Sequence, residues 1–465
     1  MFCTFSTISL HAQLADIKRH ETIAENFKTM YNDKNFRDIY LDLNVTFKAV
    51  VEEKEFINFL QNDIYNAFGE IKQLQFLSYG KDFCSFLLTF KEVKLRMDVS
   101  AGNDLKINGL QLMPFDEIPV TKVLDYLTDN KKRTKLDSVV DTFVSKFIQS
   151  SENCGISIGI VKDGNKFFYN YGETKRNSKN LPDQTTIFEI GSLTKTFCGL
   201  LLAQAVTEKK INLEDDIRKY LPGNYEKLVF DKTFIRIKHL ANHTSGLSRV
   251  PEDLMITEGF DSLNPYKNYS RAMIFSYLKT AQINSKPGTA CEYSNLGMAL
   301  LGIILEKVYN QSFDLLVREK ICMPNQMRAT GVSLSPEELT RFAYAYTAYG
   351  TPTPHWELNG FAAAGSLRST TEDLLNYLDL QLEEKDAAVK LSHQETFNNK
   401  QRVALSWFIK KTTPGTNLIW HNGATYGAGS FAGFIKEKNC GVVILANSSV
   451  SLDFIAIAIL KYLQQ

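Results

Sequence analysis

Gly191-Ser192-Leu193-Thr194-Lys195, running on into Phe197, Leu200, Leu201 and Leu202, is the stretch that decides how this chain is read. On a helix, residues three apart share a face, so the Ser192 hydroxyl and the Lys195 amine are expected to meet. A serine hydroxyl is a poor nucleophile until a neighbouring base takes its proton. A lysine serves as that base only when burial or positive neighbours depress its pKa. A helix start adds free backbone N–H groups and the positive end of the helix dipole. The alternative is an ordinary helix start, with Ser192 as its cap and Lys195 in solvent.

Two further segments favour the chemical reading. Tyr293-Ser294-Asn295 follows the turn-rich Ser285-Lys286-Pro287-Gly288-Thr289 and leads into Leu296 to Gly302, which reads as a buried helix. His421-Asn422-Gly423 ends a short strand through Leu418-Ile419-Trp420, and Gly427, Gly429 and Gly433 follow. In this order, Ser-x-x-Lys, Tyr-x-Asn and a strand ending x-x-Gly resemble the three motifs of serine β-lactamases and penicillin-binding proteins. Other segments extend the likeness. Phe188-Glu189-Ile190-Gly191-Ser192 looks like the usual lead into the nucleophile. Ile235 to Leu247, with His243-Thr244-Ser245-Gly246-Leu247 at its end, is similar to a marker of the class C β-lactamase-related family. Pro324 to Thr330 resembles its Gly-Met-x-x-Thr turn, with Gln326 in the glycine position, and Ala363 to Ser369 followed by Asp373-Leu374 is a further marker. The likeness covers residues 134–465.

This resemblance implies a role for each matched residue. Ser192 would be acylated. Lys195 would take its proton or relay it through Tyr293, which resembles a second base and a proton donor to the leaving group. Tyr and Lys both titrate near pH 10 in water, so at least one must be depressed to act as a base at neutral pH. Asn295 would bind the substrate amide. The backbone N–H groups of Ser192 and Ala424 would form the oxyanion hole, commonly the largest single catalytic contribution. Gly423, lacking a side chain, would let the substrate lie against the strand edge.

One departure bears on substrate. Where most β-lactamases of this group carry lysine at the head of the third motif, this chain has His421. Lysine offers a permanent cation to a substrate carboxylate, whereas histidine is expected to be only partly charged near neutrality. DD-peptidase-like and D-amino-acid-hydrolysing relatives also carry histidine there. The expected function is therefore a serine hydrolase that forms an acyl-enzyme on an amide or peptide bond of D-amino-acid-containing peptides. A carboxylesterase of the same type is the alternative, although the Trp-Gly-Gly of esterase relatives is missing. A ligand sensor on the same fold, without turnover, is a third reading, motivated by the extra N-terminal region.

Other groups read more plainly. His239 and His243 stand four apart, but Leu240 occupies the place where a zinc-protease helix needs glutamate, so a capped helix leading into the Ser245-Gly246 turn is expected there. Cys198 lies in apolar surroundings and reads as a packed thiol. No phosphate loop of the Walker type appears, and no cofactor or metal is expected. Lysine plus arginine number 53 and aspartate plus glutamate 52, so the net charge of +1 gives no electrostatic case for nucleic acid or an anionic membrane. The partner expected is a small-molecule or peptide substrate. No stretch reaches the roughly 18 apolar residues of a membrane span. The seven cysteines lie scattered without a Cys-x-x-Cys pair and give no disulfide framework.

The expected fold class is α+β: a β-lactamase/transpeptidase-like domain at 134–465, with an antiparallel sheet flanked by helices and an all-helical lobe between Leu200 and Tyr377. Its first helix is expected at Leu136 to Ile148, its first hairpin at Ser157 to Tyr171 with a turn at Asp163-Gly164-Asn165, and its last helix at Leu452 to Leu463. Residues 116–133 read as a linker. Residues 16–115 show helical spacing (Glu21 to Tyr31, Glu53 to Phe68) and then period-two strands at Phe83 to Phe90, Val93 to Val99 and Leu105 to Met113. That pattern resembles the cone-shaped α+β fold of nuclear-transport-factor-like domains. Residues 1–15 resemble the end of a bacterial signal peptide, cut after Ala12, which would make the protein periplasmic or secreted.

Overall fold

The protein is described here by a computed structural model, whose described residues are 5–48, 51–79, 83–102, 104–114, 126–150, 155–348, 350–412 and 415–465. It divides into two compact units, Met1–Lys122 and Val123–Gln465.

In the first unit a long helix, α1 (Phe5–Asn32), is followed by short helices at Phe36–Leu41 and Val45–Lys48 and a continuous helical stretch from Glu53 to Phe68. A four-stranded antiparallel meander completes it: β1 (Gln73–Tyr79), β2 (Cys84–Thr89), β3 (Lys94–Ala101) and β4 (Ile107–Pro114). Ile23, Phe27 and Tyr31 of α1 recur at helical spacing and meet Phe86, Leu88, Met97 and Val99 of the sheet in one buried core. Strand β1 escaped the sequence reading because it is a half-exposed edge, paired only with β2, and carries no buried alternation of its own. Helix α1 runs through most of the stretch read as a leader, whose first four residues lie outside the described residues, as does most of the stretch read as a linker (115–125).

The second unit is built on eight antiparallel strands. They are β5 (Ile156–Lys162), β6 (Asn165–Tyr171), β7 (Phe397–Asn398), β8 (Arg402–Val403), β9 (Phe408–Lys411), β10 (Asn417–Ala424), β11 (Gly429–Ile435) and β12 (Cys440–Ala446), in the order β7-β8-β9-β10-β11-β12-β5-β6. Asp163 and Gly164 both have positive φ (51° and 79°), the two-residue turn that matches the strand twist and closes β5 onto β6. Side chains of a strand alternate between faces. On β12, Cys440, Val442, Ile444 and Ala446 therefore join one core while Val443 and Leu445 join the other.

The first of these cores is capped by α2 (Lys135–Ser150) and by the C-terminal helix α6 (Asp453–Leu463), whose Val140, Val144, Ile455 and Ile459 pack on the sheet. The other face takes α5 (Thr371–Glu383). A methyl group on Gly159 would fall 2.8 Å from Leu375 and one on Gly441 2.9 Å from Leu378, so two glycines on neighbouring strands let α5 lie directly on the backbone. Beyond α5 lies the lobe containing α3 (Thr194–Thr207) and α4 (Asn295–Tyr309), both largely buried. This lobe is less helical than the sequence suggests. It holds a two-residue hairpin at Val229–Phe230 and Thr233–Phe234, and long turn-rich connections between Leu247 and Ser270. Those connections are fixed by side-chain bonds such as Tyr269 to Asp253 (2.5 Å), which leave no hydrophobic period to read.

Candidate active site

Ser192 sits in a 3-10 turn, Gly191–Leu193, immediately before α3. The turn is held from both sides. Phe188–Glu189 pairs with Arg368–Ser369, the Ile190 amide donates to the Leu367 carbonyl (3.0 Å), and Ser430 Oγ donates to the Ile190 carbonyl (2.7 Å). Gly191 has φ +48°, and a Cβ there would fall 2.8 Å from the Ala424 amide nitrogen. A Cβ on Gly423 would fall 2.1 Å from the Ile190 carbonyl oxygen and 2.8 Å from the Ser192 amide nitrogen. Two glycines thus bring the backbone of the Gly191–Leu193 turn and the end of β10 into direct contact. The missing side chain of Gly423 makes room for that turn rather than for a substrate, which corrects the reason given for it from sequence.

Lys195 lies one helical step on, with 0 % of its surface exposed. Its Nζ stands 3.0 Å from Ser192 Oγ and donates to the Ala364 carbonyl (2.5 Å). No carboxylate pairs with it among the described residues. Burial, and secondarily the Arg249 guanidinium, hold its pKa well below the ordinary lysine value. The solvent-exposed helix-start alternative therefore does not hold.

Tyr293 faces the pair from α4's entrance. Lys195 Nζ lies 4.8 Å from the centre of its ring, and the Arg249 guanidinium 5.1 Å. Burial raises the Tyr293 pKa above its ordinary value, and the hydrogen bond with Ser192 and the charge of Arg249 only partly offset this. The two groups thus split: the lysine is depressed, and the tyrosine keeps its proton. Ser294 caps α4 by accepting the Gly297 amide (2.9 Å), and its own amide donates to His243 Nδ1 (3.3 Å). Asn295 donates through Nδ2 to the Tyr266 hydroxyl (2.8 Å), and its buried Oδ1 has no partner among the described residues.

His421 is buried on β10, its ring 6.2 Å from that of Tyr293. Its Nδ1 bonds the Asn422 carbonyl (2.5 Å), which only accepts, so Nδ1 carries the proton and the buried, unpartnered Nε2 presents a lone pair. Burial and the neighbouring Lys195 lower its pKa to about 3. The sequence reading gave this histidine a partial charge at neutrality. In the fold it is neutral, because burial and the neighbouring Lys195 disfavour the imidazolium.

Sequence reasoning passed over several groups that line the site. His239 stays on the short helix Ile237–Ala241, but His243 lies beyond its end at φ +59°, and its ring packs 4.4 Å from Tyr293. No cluster that could hold a metal occurs among the described residues. Arg249, two residues past the Ser245-Gly246-Leu247 marker, reaches over Tyr293, and its carbonyl accepts the Asn295 (2.9 Å) and Leu296 (3.1 Å) amides. The buried Glu189 accepts from Thr425 Oγ1 (2.8 Å) and from the Trp356 amide (2.6 Å), tying the far side of the cleft to the nucleophile strand. The one legible signal was proximity to the marker segment for His243 and Arg249. Cys198 is buried in the apolar core and, like Cys291, Cys322 and Cys440, is a free thiol.

A serine beside a buried lysine amine, set between an antiparallel sheet and a helical lobe, is the arrangement of one class of fold, that of the β-lactamase-type serine hydrolases. The Beta-lactamase family profile matches residues 140–463, and the chain belongs to that family. It is 30% identical over 324 residues to Protein flp of Staphylococcus aureus (strain MRSA252), covering 66% of this chain and 62% of that protein. The matched part therefore spans less than two thirds of that relative. Two solved structures share the fold. The octameric penicillin-binding protein homologue of Pyrococcus abyssi has a TM-score of 0.60 and 24% identity, covering 70% of this chain and 77% of its own. The D-alanine carboxypeptidase AmpC of Burkholderia cenocepacia has a TM-score of 0.60 and 22% identity, covering 70% and 99%.

Proposed function

We propose that the protein hydrolyses an amide or peptide bond through an acyl-enzyme on Ser192, with D-amino-acid-containing peptides as substrates. The observation that carries the reading is the buried Lys195 amine 3.0 Å from Ser192 Oγ, with one N–H committed to the Ala364 carbonyl. A neutral amine so held turns its lone pair to the serine.

In this reading Ser192 Oγ attacks the substrate carbonyl carbon while its proton passes to Lys195 Nζ. The carbonyl oxygen becomes an oxyanion held by the Ser192 and Ala424 amides. The lysine proton returns through the Tyr293 hydroxyl to the leaving nitrogen, and the C–N bond breaks. Water then attacks the ester, and the same groups run in reverse. Tyr293 is suited to the donor role because it stays protonated until Lys195 takes up charge beside it. Asn295 Oδ1, buried and unpartnered, is placed to accept a substrate N–H. The D-alanine carboxypeptidase among the fold relatives supports the choice of peptide, and the neutral His421 weighs against the lysine-dependent recognition of β-lactams. The first unit, Met1–Lys122, holds none of the residues named in these steps. We read it as an accessory module of nuclear-transport-factor-like type, on its helix-then-sheet order.

The test is intact-protein mass after incubation with benzylpenicillin, beside Ser192→Ala, together with rates on D-Ala-D-Ala peptides and on short-chain nitrophenyl esters. An adduct on the wild type alone, with peptide cleavage, is expected. Ester cleavage without peptide cleavage would favour the carboxylesterase. Activity that survives Ser192→Ala on every substrate would refute the mechanism.

A further inference from the structure

The site holds a cation that the mechanism does not use. Arg249 is exposed, and its guanidinium lies 5.1 Å from the Tyr293 ring centre, on the ring that also faces Lys195. No carboxylate pairs with it among the described residues. Its backbone is fixed, because the carbonyl accepts two amides at the start of α4, so the side chain springs from a rigid base beside Tyr293 and Asn295. Across the cleft, the strand position that would hold a cation is filled by His421, whose Nδ1 proton is committed to the Asn422 carbonyl and whose Nε2 offers only a lone pair.

We propose that Arg249 is the anion receptor of this site, binding a carboxylate on the leaving half of the substrate. The proposal rests on the acyl-transfer reading above and names part of its substrate. The side of the substrate follows from Tyr293. The group this tyrosine protonates is the leaving atom, so a carboxylate one residue beyond that atom comes under the guanidinium stacked on the same ring. Arginine suits the task because its planar fork meets both carboxylate oxygens and stacks on aromatic faces, and it stays charged at any working pH. Its exposure lets the anion enter without being fully stripped of water.

The experiment uses two esters of one acyl group, phenyl phenylacetate and m-carboxyphenyl phenylacetate, which differ only by a carboxylate on the leaving group. Both report simple acyl transfer, so they serve whether the physiological bond is peptide or ester. The wild type is expected to prefer the carboxylated ester in kcat/KM. Arg249→Ala is expected to reduce that preference by about 10-fold or more, the usual scale for removing a hydrogen bond to a charged group, and Arg249→Lys to retain part of it. Equal losses on both esters would mean that Arg249 acts only through its field on Lys195 and Tyr293, and would overturn the proposal. So would a wild type without preference. If the wild type cleaved neither ester, the hydrolase reading would fall and the proposal with it. Cleavage that disappears in Ser192→Ala while the preference proves indifferent to residue 249 would sink the receptor alone.

Discussion

The His243 imidazole lies 4.4 Å from the Tyr293 ring, tilted by 36°, while its Nδ1 accepts the amide of the very next residue, Ser294. One side chain thus sets both the face of the tyrosine and the entry of the chain into α4. Replacing it by phenylalanine keeps the packing but leaves a buried N–H unpaired and puts a bulky residue at φ +59°. His243→Phe is expected to lose about 1–3 kcal/mol of stability and most of its kcat. His243→Asn tolerates the left-handed backbone and can accept the amide. It should recover part of both in thermal melts and steady-state rates.

Lys195 buries an amine without a counter-charge, which costs stability and makes a base. Lys195→Met keeps the volume and removes the desolvated group. Its melting temperature at pH 7 is expected to equal or exceed the wild type, while turnover falls by about 10²–10⁴-fold. The pH dependence has a definite sign. The unfolded lysine keeps its proton to about pH 10.4, and the folded one gives it up well below that. The unfolded state therefore binds more protons across the alkaline range, and wild-type stability rises with pH there relative to the methionine variant. Melts at pH 7 and pH 9.5 with both proteins would check this. A constant difference between them would mean that Lys195 is charged in the fold.

His421 sets a second pH window, on the acid side. Its folded pKa is about 3 against an ordinary 6.5. As pH falls from 6.5 toward 3 the unfolded chain takes up a proton that the folded site refuses, so stability drains through that interval. His421→Gln has nothing to protonate. The variant is expected to lose less stability than the wild type between pH 7 and pH 4, as read by denaturant midpoints. Parallel curves would contradict a neutral, buried imidazole.

Gly423→Ala tests the contact between the nucleophile turn and β10. The added methyl meets the Ile190 carbonyl oxygen and the Ser192 amide, both backbone atoms that yield only if the turn moves. Displacing one oxyanion donor costs on the order of 10²–10³ in kcat. A loss of that size is expected, with far-UV circular dichroism unchanged and KM altered less than kcat. A variant with normal kcat would show that the turn can retreat without loss of the cradle.

Much of this could be read in the chain itself. The order Ser192/Lys195, Tyr293/Asn295, His421/Gly423 pointed to the residues that the fold gathers around Ser192, because each motif is local and its spacing is fixed by one helix turn or one strand. The β5–β6 hairpin was legible from Asp163-Gly164, since only a few residue types accept two positive φ values in succession. The two terminal helices of the second unit were legible from periodicity.

What lay out of reach depends on contacts between segments far apart in sequence. Whether Lys195 is charged follows from α4 and the short helix Ala362–Gly365 packing against α3, and from Ala364, 169 residues away, taking its N–H. Whether Tyr293 or Lys195 is the base follows from the same burial, which acts in opposite directions on an acid and on an amine. His421 reads as half-charged in a string of letters, and becomes neutral once packed beside an amine and bonded to its neighbour's carbonyl. Gly423 reads as room for a substrate and proves to be room for Ile190 and Ser192, 233 and 231 positions upstream. Arg249 belongs to no motif, and enters the site only because the loop after Gly246 runs back over α4 to give two amides a carbonyl. Motif identity is a property of neighbours along the chain. Protonation state, and the group that lies over a ring, are properties of neighbours in space, and only the folded chain supplies those.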